Sequence, residues 1–312
     1  MKISQYFSIA LVILIIALLS AGCSENTSST TGQIWTDTSY YYPNWMPDGR
    51  VVANRVDTTY QRTYSFFEGE TNVIIDVEYY IVTMEADGSD EENLIQLSGF
   101  ADKISCSPVG EKIAWLAEGE ITVSDYHGNI SATLEYATEF DWSPSGDKIV
   151  YQISQDNIIN LYTINIDGSD KNLISSEAEE GTTLGYIFAG PVSWRDQNFI
   201  SLVRFSPIML ARIFLINSDG SNHKLLVNGT SPQNYSDSEI LYIGCEGSYI
   251  DRYSGVYKIN IDGSNNTKLF DFPYETIETM KLSFDKNKIV YSDAGNYIHV
   301  INISDGQSTR LK

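Results

Sequence analysis

Along the chain, hydrophobicity takes two forms. Ile9 to Leu19 form an unbroken apolar run, whereas from Ile34 onward apolar and polar residues alternate in short stretches bounded by Gly, Pro, Asp and Ser. Alternation with a period of two marks strands that bury one face. No stretch after Leu19 keeps the 3.6-residue spacing of an amphipathic helix, so the pattern predicts an all-β body. The stretches also recur. A strand rich in Ile, Tyr and Asn runs into a Gly-centred turn at Gly88, Gly128, Gly168, Gly220, Gly263 and Gly306, with spacings of 40, 40, 52, 43 and 43 residues.

Most of these turns read Asp-Gly-Ser and are followed by a short strand ending in Leu, as at Asn172-Leu173 and Lys268-Leu269. Each is therefore a tight hairpin in which Gly supplies a positive φ. A second phrase precedes the first in every period: Trp45-Met46-Pro47-Asp48-Gly49, Cys106-Ser107-Pro108-Val109-Gly110 and Trp142-Ser143-Pro144-Ser145-Gly146, with decayed copies from Trp194, Tyr235 and Leu282. Two hairpins give four antiparallel strands in about 40 to 45 residues, the size of one propeller blade. Six copies predict a six-bladed β-propeller of four-stranded antiparallel blades. These phrases resemble the TolB-type, WD40-like propeller repeat over about residues 43 to 312. The resemblance implies the fold. It does not imply a Tol-Pal role, because TolB carries an α/β domain ahead of its propeller and only about ten residues lie between the tether described next and the first blade.

The N-terminus sets the compartment. Lys2, the apolar run and the small residues Ser20-Ala21-Gly22 before Cys23 read as a lipoprotein signal peptide over residues 1–22. Eleven apolar residues are too short to span a bilayer core, which needs about 20. An uncleaved signal anchor is the alternative, with Ser20 standing where such boxes more often hold Leu or Val. Residues 23–33, rich in Ser and Thr, read as a flexible tether. Residues 34–312 are expected to form the single propeller domain, held as an exported lipoprotein on the outer face of the cytoplasmic membrane or in the cell envelope.

Composition narrows the partners. The net charge of −21 comes from 41 acidic residues scattered along the chain against 20 basic ones. This disfavours nucleic acid, whose binding needs Lys and Arg to displace counterions. With Cys23 assigned to lipid, Cys106 and Cys245 remain and are expected as unpaired buried thiols, a disulfide being the alternative. No Gly-x-Ser-x-Gly elbow, phosphate-binding Gly-rich loop or His-Glu-x-x-His motif occurs. His127, His223 and His299 sit at repeat positions, and Asp167-Gly168-Ser169-Asp170 lacks the bidentate Glu of a calcium loop, Ile174 standing in its place. No metal, cofactor or catalytic residue is therefore expected.

Binding is expected on the face carrying enlarged loops. The largest lies between Val52 and Tyr80 and reads as the second and third strands of the first blade extended into a hairpin, with Tyr60, Arg62, Tyr64 and Phe66 as candidates. Arg204 and Arg212 flank a second enlarged connection; Tyr249, Asp251, Arg252 and Tyr253 lie in a third. Tyr with Arg on exposed loops is a composition enriched at binding hot spots, although packing against neighbouring loops would explain each residue singly. Six Asn-x-Ser/Thr sequons start at Asn26, Asn129, Asn228, Asn234, Asn265 and Asn302. The sequence thus predicts a monomeric, membrane-anchored, non-enzymatic module that binds an envelope protein or glycan. Its alternatives are a carboxylate-based enzyme that cleaves polysaccharide and a structural surface component.

Overall fold

The computed structural model describes residues 32–65, 69–156, 158–178, 188–194, 199–205, 211–245, 253–271, 277–293 and 295–312. These residues form 23 strands. Contacts divide the chain into two compact units: one comprises residues up to Trp35 together with Thr59–Ile75, and the other comprises Thr36–Thr58 and Asp76–Lys312. Among the described residues no helix is long and apolar enough to cross a membrane.

The larger unit is a propeller of antiparallel sheets, each built from consecutive strands. The first sheet has the order β1 (Ile34–Trp45), β2 (Val51–Ser65), β3 (Gly69–Met84), β4 (Glu92–Leu97). The second runs β5 (Lys103–Cys106) to β8 (Ile130–Tyr136), and the third β9 (Glu139–Trp142) to β12 (Asn172–Ala178). The last runs β20 (Ile277–Leu282) to β23 (Ser308–Arg310).

The fourth and fifth repeats depart from the expected separate blades. They share one seven-stranded sheet, β13 (Phe188–Trp194) to β19 (Thr267–Phe270). The cause is β16 (Lys224–Asn234), an 11-residue strand. Its first half pairs with β15 (Ala211–Asn217) from Lys224 to Asn228, and its second half pairs with β17 (Glu239–Cys245) from Gly229 to Asn234. Gly229, at φ +156 and against the Tyr242 ring, stands where the strand changes partner. Hydrogen bonding therefore yields five sheets from six repeats.

Packing follows the repeats, through six apolar clusters that each join consecutive repeats. Trp115 packs between the first and second, Trp142 and Phe140 between the second and third, and Trp194 between the third and fourth. Tyr242 lies between the fourth and fifth, and Tyr291 between the fifth and sixth. In the remaining cluster Trp45, Val51 and Met84 of the first sheet meet Val290, Ile298 and Val300 of the last. The ring thus closes without exchanging a strand. Each sheet keeps its own outer strand, and the seam is held by packing, by Trp45 Nε1 donating to the Lys281 carbonyl at 3.0 Å and by an ion pair between Lys312 and Glu91 at 3.0 Å.

The Asp-Gly-Ser turns repeat with near-identical geometry. Gly88, Gly168, Gly220 and Gly263 have φ between 84 and 91°. In each turn the Asp carboxylate (Asp87, Asp167, Asp219, Asp262) accepts from the backbone N–H and the hydroxyl of the Ser two residues on. Those bonds hold all four carboxyls below the usual range. Asp167 therefore serves its hairpin, as its sequence context implied.

Candidate functional site

The first strand of each repeat lies innermost, and alternation along it sends every second side chain toward the axis. Six residues, one per repeat, line a cavity of about 210 Å³: Asn44, Ser105, Asp141, Ser193, Asn234 and Lys281. Two residues earlier on the same strands, Tyr42, Lys103, Glu139, Pro191 and Pro232 line a second cavity of about 50 Å³. Lys281 lines both. The larger cavity is bounded by Pro108, Pro144, Phe284 and Lys286 of the tight first-to-second-strand turns. This opening lies on the face that the sequence expectation had passed over in favour of the enlarged loops.

Most polar groups of the channel are already engaged. The Asn44 side-chain amide donates to the Ile104 carbonyl at 3.0 Å and its oxygen accepts from the Trp45 N–H at 2.8 Å. Asp141 accepts from the Trp194 N–H at 2.9 Å, and Glu139 pairs with Lys103. Gln233 accepts from the Leu282 N–H at 3.2 Å, and Lys286 Nζ donates to the Asn234 carbonyl at 2.8 Å. Three groups stand apart. The Asn234 side-chain oxygen is buried without a hydrogen-bond partner. Among the described residues no carboxylate lies within ion-pair distance of Lys281, and its ammonium is drawn down to about 8 by burial first and the Lys103 charge second, against the opposing pull of Asp141 and Glu139. Asp102, in the smaller cavity, is raised by burial.

Cys106 also lines the larger cavity. It is an unpaired, buried thiol, as expected, and burial pushes it up to about 12. It is therefore a neutral thiol near pH 7 and no nucleophile. The Cys245 side chain, like Cys23, lies outside the described residues. Among the described residues no three His, Cys, Asp or Glu side chains come together as a metal set. His299 is buried, stacks on Tyr291 at 5.0 Å and bonds Asp293 at 2.9 Å.

The sequence candidates separate into three groups. In the smaller unit the Tyr60 and Trp35 rings stack at 5.5 Å, Arg62 lies over Trp35 at 5.7 Å and pairs with Glu70 at 2.8 Å. The strands there are long, as the expected hairpin requires: β2 has 15 residues and β3 has 16. Arg204 is not an exposed loop residue. It belongs to β14 (Phe199–Phe205), is 3% exposed, and forms a two-pronged pair with Glu177 at 3.1 and 3.2 Å while donating to Gln152. It buttresses the third repeat against the fourth. Arg212, its cross-strand partner on β15, is exposed. Phe66, Tyr249, Asp251 and Arg252, and the side chains of Tyr64 and Tyr253, lie outside the described residues.

The fold and its polar channel define an all-β propeller of four-stranded antiparallel sheets. Among solved structures the chain is similar to oligogalacturonate lyase in complex with manganese, at 14% identity and TM-score 0.54, over 89% of this chain and 78% of that one. It is similar to TolB from Acinetobacter baumannii at 12% identity and TM-score 0.54, over 84% and 79%. A nidogen/laminin complex gives 10% identity and TM-score 0.54, over 88% and 92%. At these identities the likeness is one of fold. No family model and no curated protein matches the chain.

Proposed function

We propose that this protein is an exported, lipid-anchored propeller of the cell envelope, six-bladed by its repeats, that binds another protein through the hairpin of its first repeat. One observation carries the reading. The pairing of β4 with β3 begins at Tyr79, so residues 69–78 of β3 have no strand on that side among the described residues. Along this open edge Val73, Ile74 and Ile75 are 45, 56 and 47% exposed. Neighbouring residues of a strand face opposite ways, so both faces of the edge are apolar. An open, apolar edge is a template for strand addition, which favours a protein partner over a glycan. Glu70, Asp76 and Glu78 flank it and suit a partner segment with basic ends.

A photo-crosslinking residue placed at Ile74 in cells tests this. A discrete adduct with an envelope protein is expected, abolished by combined V73S and I75S substitutions that leave the thermal transition unchanged. No adduct, or one that survives those substitutions, would overturn it. A carboxylate-based enzyme is the second reading, favoured by Glu139 and Asp141 on the channel side of β9. Polysaccharide turnover abolished by D141N would establish it instead.

A further inference from the structure

The channel contains a set of groups that the scaffold leaves unused. We propose that it is a binding site for a small hydroxy acid carried as a monoanion, whose carboxylate is held by Lys281 and whose hydroxyl donates to Asn234. This inference stands independently of the hairpin reading.

The ligand's chemistry follows from what is left over. Lys281 is a cation at the junction of two cavities with no ion-pair partner among the described residues. Leaving an ammonium enclosed and unpaired costs stability unless something arrives to pair with it. The nearby carboxylates do not serve, because Glu139 is bound to Lys103 and Asp141 to the Trp194 N–H. Ser105 and Ser193, 5 and 7% exposed, line the same cavity, and their hydroxyls have no protein partner among the described residues. One cation with two hydroxyl donors suits a carboxylate, whose two oxygens accept several hydrogen bonds. Glu139 and Asp141 beside it oppose a second negative charge, which disfavours phosphate at neutral pH. The unpaired Asn234 oxygen asks for a donor, which a plain carboxylate lacks and a hydroxy acid provides. At about 210 Å³ the cavity is smaller than drug-sized pockets of roughly 300–1,000 Å³, which limits the ligand to a few heavy atoms.

Titration gives the site a pH window. The charged or titratable groups facing Lys281 are Lys103 and Cys106 on β5, Glu139 and Asp141 on β9, Asp102 and Tyr42 in the smaller cavity and Lys286 at the larger mouth. With its ammonium drawn down to about 8, Lys281 is charged at neutral pH and loses its proton as pH rises through that value. Binding is therefore strongest on the acid side of pH 8.

The experiment is thermal denaturation of the full protein titrated with glycolate, acetate or phosphate at constant ionic strength. A saturable rise in melting temperature is expected with glycolate at pH 7, weaker with acetate and fading above pH 8. K281M should abolish it. The S105A/S193A pair, which only removes hydroxyls and so spares the fold, should weaken it by about tenfold in Kd. V73S/I75S should leave it intact, which separates this site from the hairpin. An unsaturable response, an equal response to phosphate, or a full response in S105A/S193A or in a folded K281M would overturn the proposal.

Discussion

The Asp-Gly-Ser turns and the channel ring come from the same repeat, yet one is uniform and the other is not. In four turns the same three residues make the same hydrogen bonds, and each carboxylate is satisfied by its own hairpin. The six channel positions carry Asn, Ser, Asp, Ser, Asn and Lys, and no two adjacent ones offer the same chemistry. A turn needs one backbone shape, and few residues supply it. The axis-facing position of an inner strand needs only to fit a pleat that is covered on one side. The repeat therefore fixes the scaffold and leaves the channel positions free to vary in chemistry.

The comparison is tested most forcefully at the seam. Trp45 is 1% exposed and closes the ring against Val290, Ile298 and Val300. W45A should cost about 3–5 kcal/mol in denaturant unfolding. A loss below about 1 kcal/mol would mean that closure does not rest on this packing. A smaller effect separates two turns of the same shape. Gly220 and Gly263 have φ of +84 and +91°, but a Cβ on Gly220 would lie 2.3 Å from the Ile174 carbonyl oxygen while Gly263 has nothing within 4 Å. G263A should cost about 1–2 kcal/mol, the strain of a left-handed non-glycine residue. G220A should cost more, and equal midpoints for the two variants would refute the difference. The smallest effect lies in the turn carboxylates. Asp262 is held below its ordinary range by the Ser264 hydroxyl first and the Ser264 N–H second. Its folded value lies below the unfolded one, so its contribution is present above the unfolded value and lost as pH falls through the folded one. S264A should lower the melting temperature slightly near neutrality and by less in strong acid, where only the bond from the Asn260 amide is lost. A deficit of the same size below the carboxylate range would assign the loss to the bond that the Ser264 hydroxyl accepts from the Asn260 amide at 2.8 Å instead.

Much of the scaffold was legible in the sequence, because turns announce themselves. Asp-Gly-Ser and Trp-Ser-Pro-Ser-Gly place both hairpins of a repeat, and the strand alternation between them follows. The site was not. Lys281 and Asp141 sit one residue before the end of an inner strand and Asn234 at the end of one, and only superposing the six repeats shows that those positions share an axis. That signal was available: the residue just before Trp45, Cys106, Trp142, Trp194, Tyr235 and Leu282 is polar every time. Arg204 misled for a different reason. An arginine beside a long connection reads as exposed, and the Glu177 that buries it is 27 residues away. The merger at β16 was hidden for the opposite reason, since Asn228-Gly229 and Pro232 inside it read as breakers that would separate two strands.

That strand makes the ring mechanically unequal. In an array of near-identical units, resistance to unravelling is a string of neighbour-to-neighbour couplings of similar strength. The other couplings here run through side chains, as apolar packing fastened by single hydrogen bonds and ion pairs such as Trp142 Nε1 to the Ser105 carbonyl and Arg204 to Glu177. The coupling between the fourth and fifth repeats also runs through one continuous strand, whose Lys224–Asn228 half pairs with β15 and whose Gly229–Asn234 half pairs with β17. Those two repeats are thereby expected to open together, with fraying under load starting at the joints elsewhere in the circle.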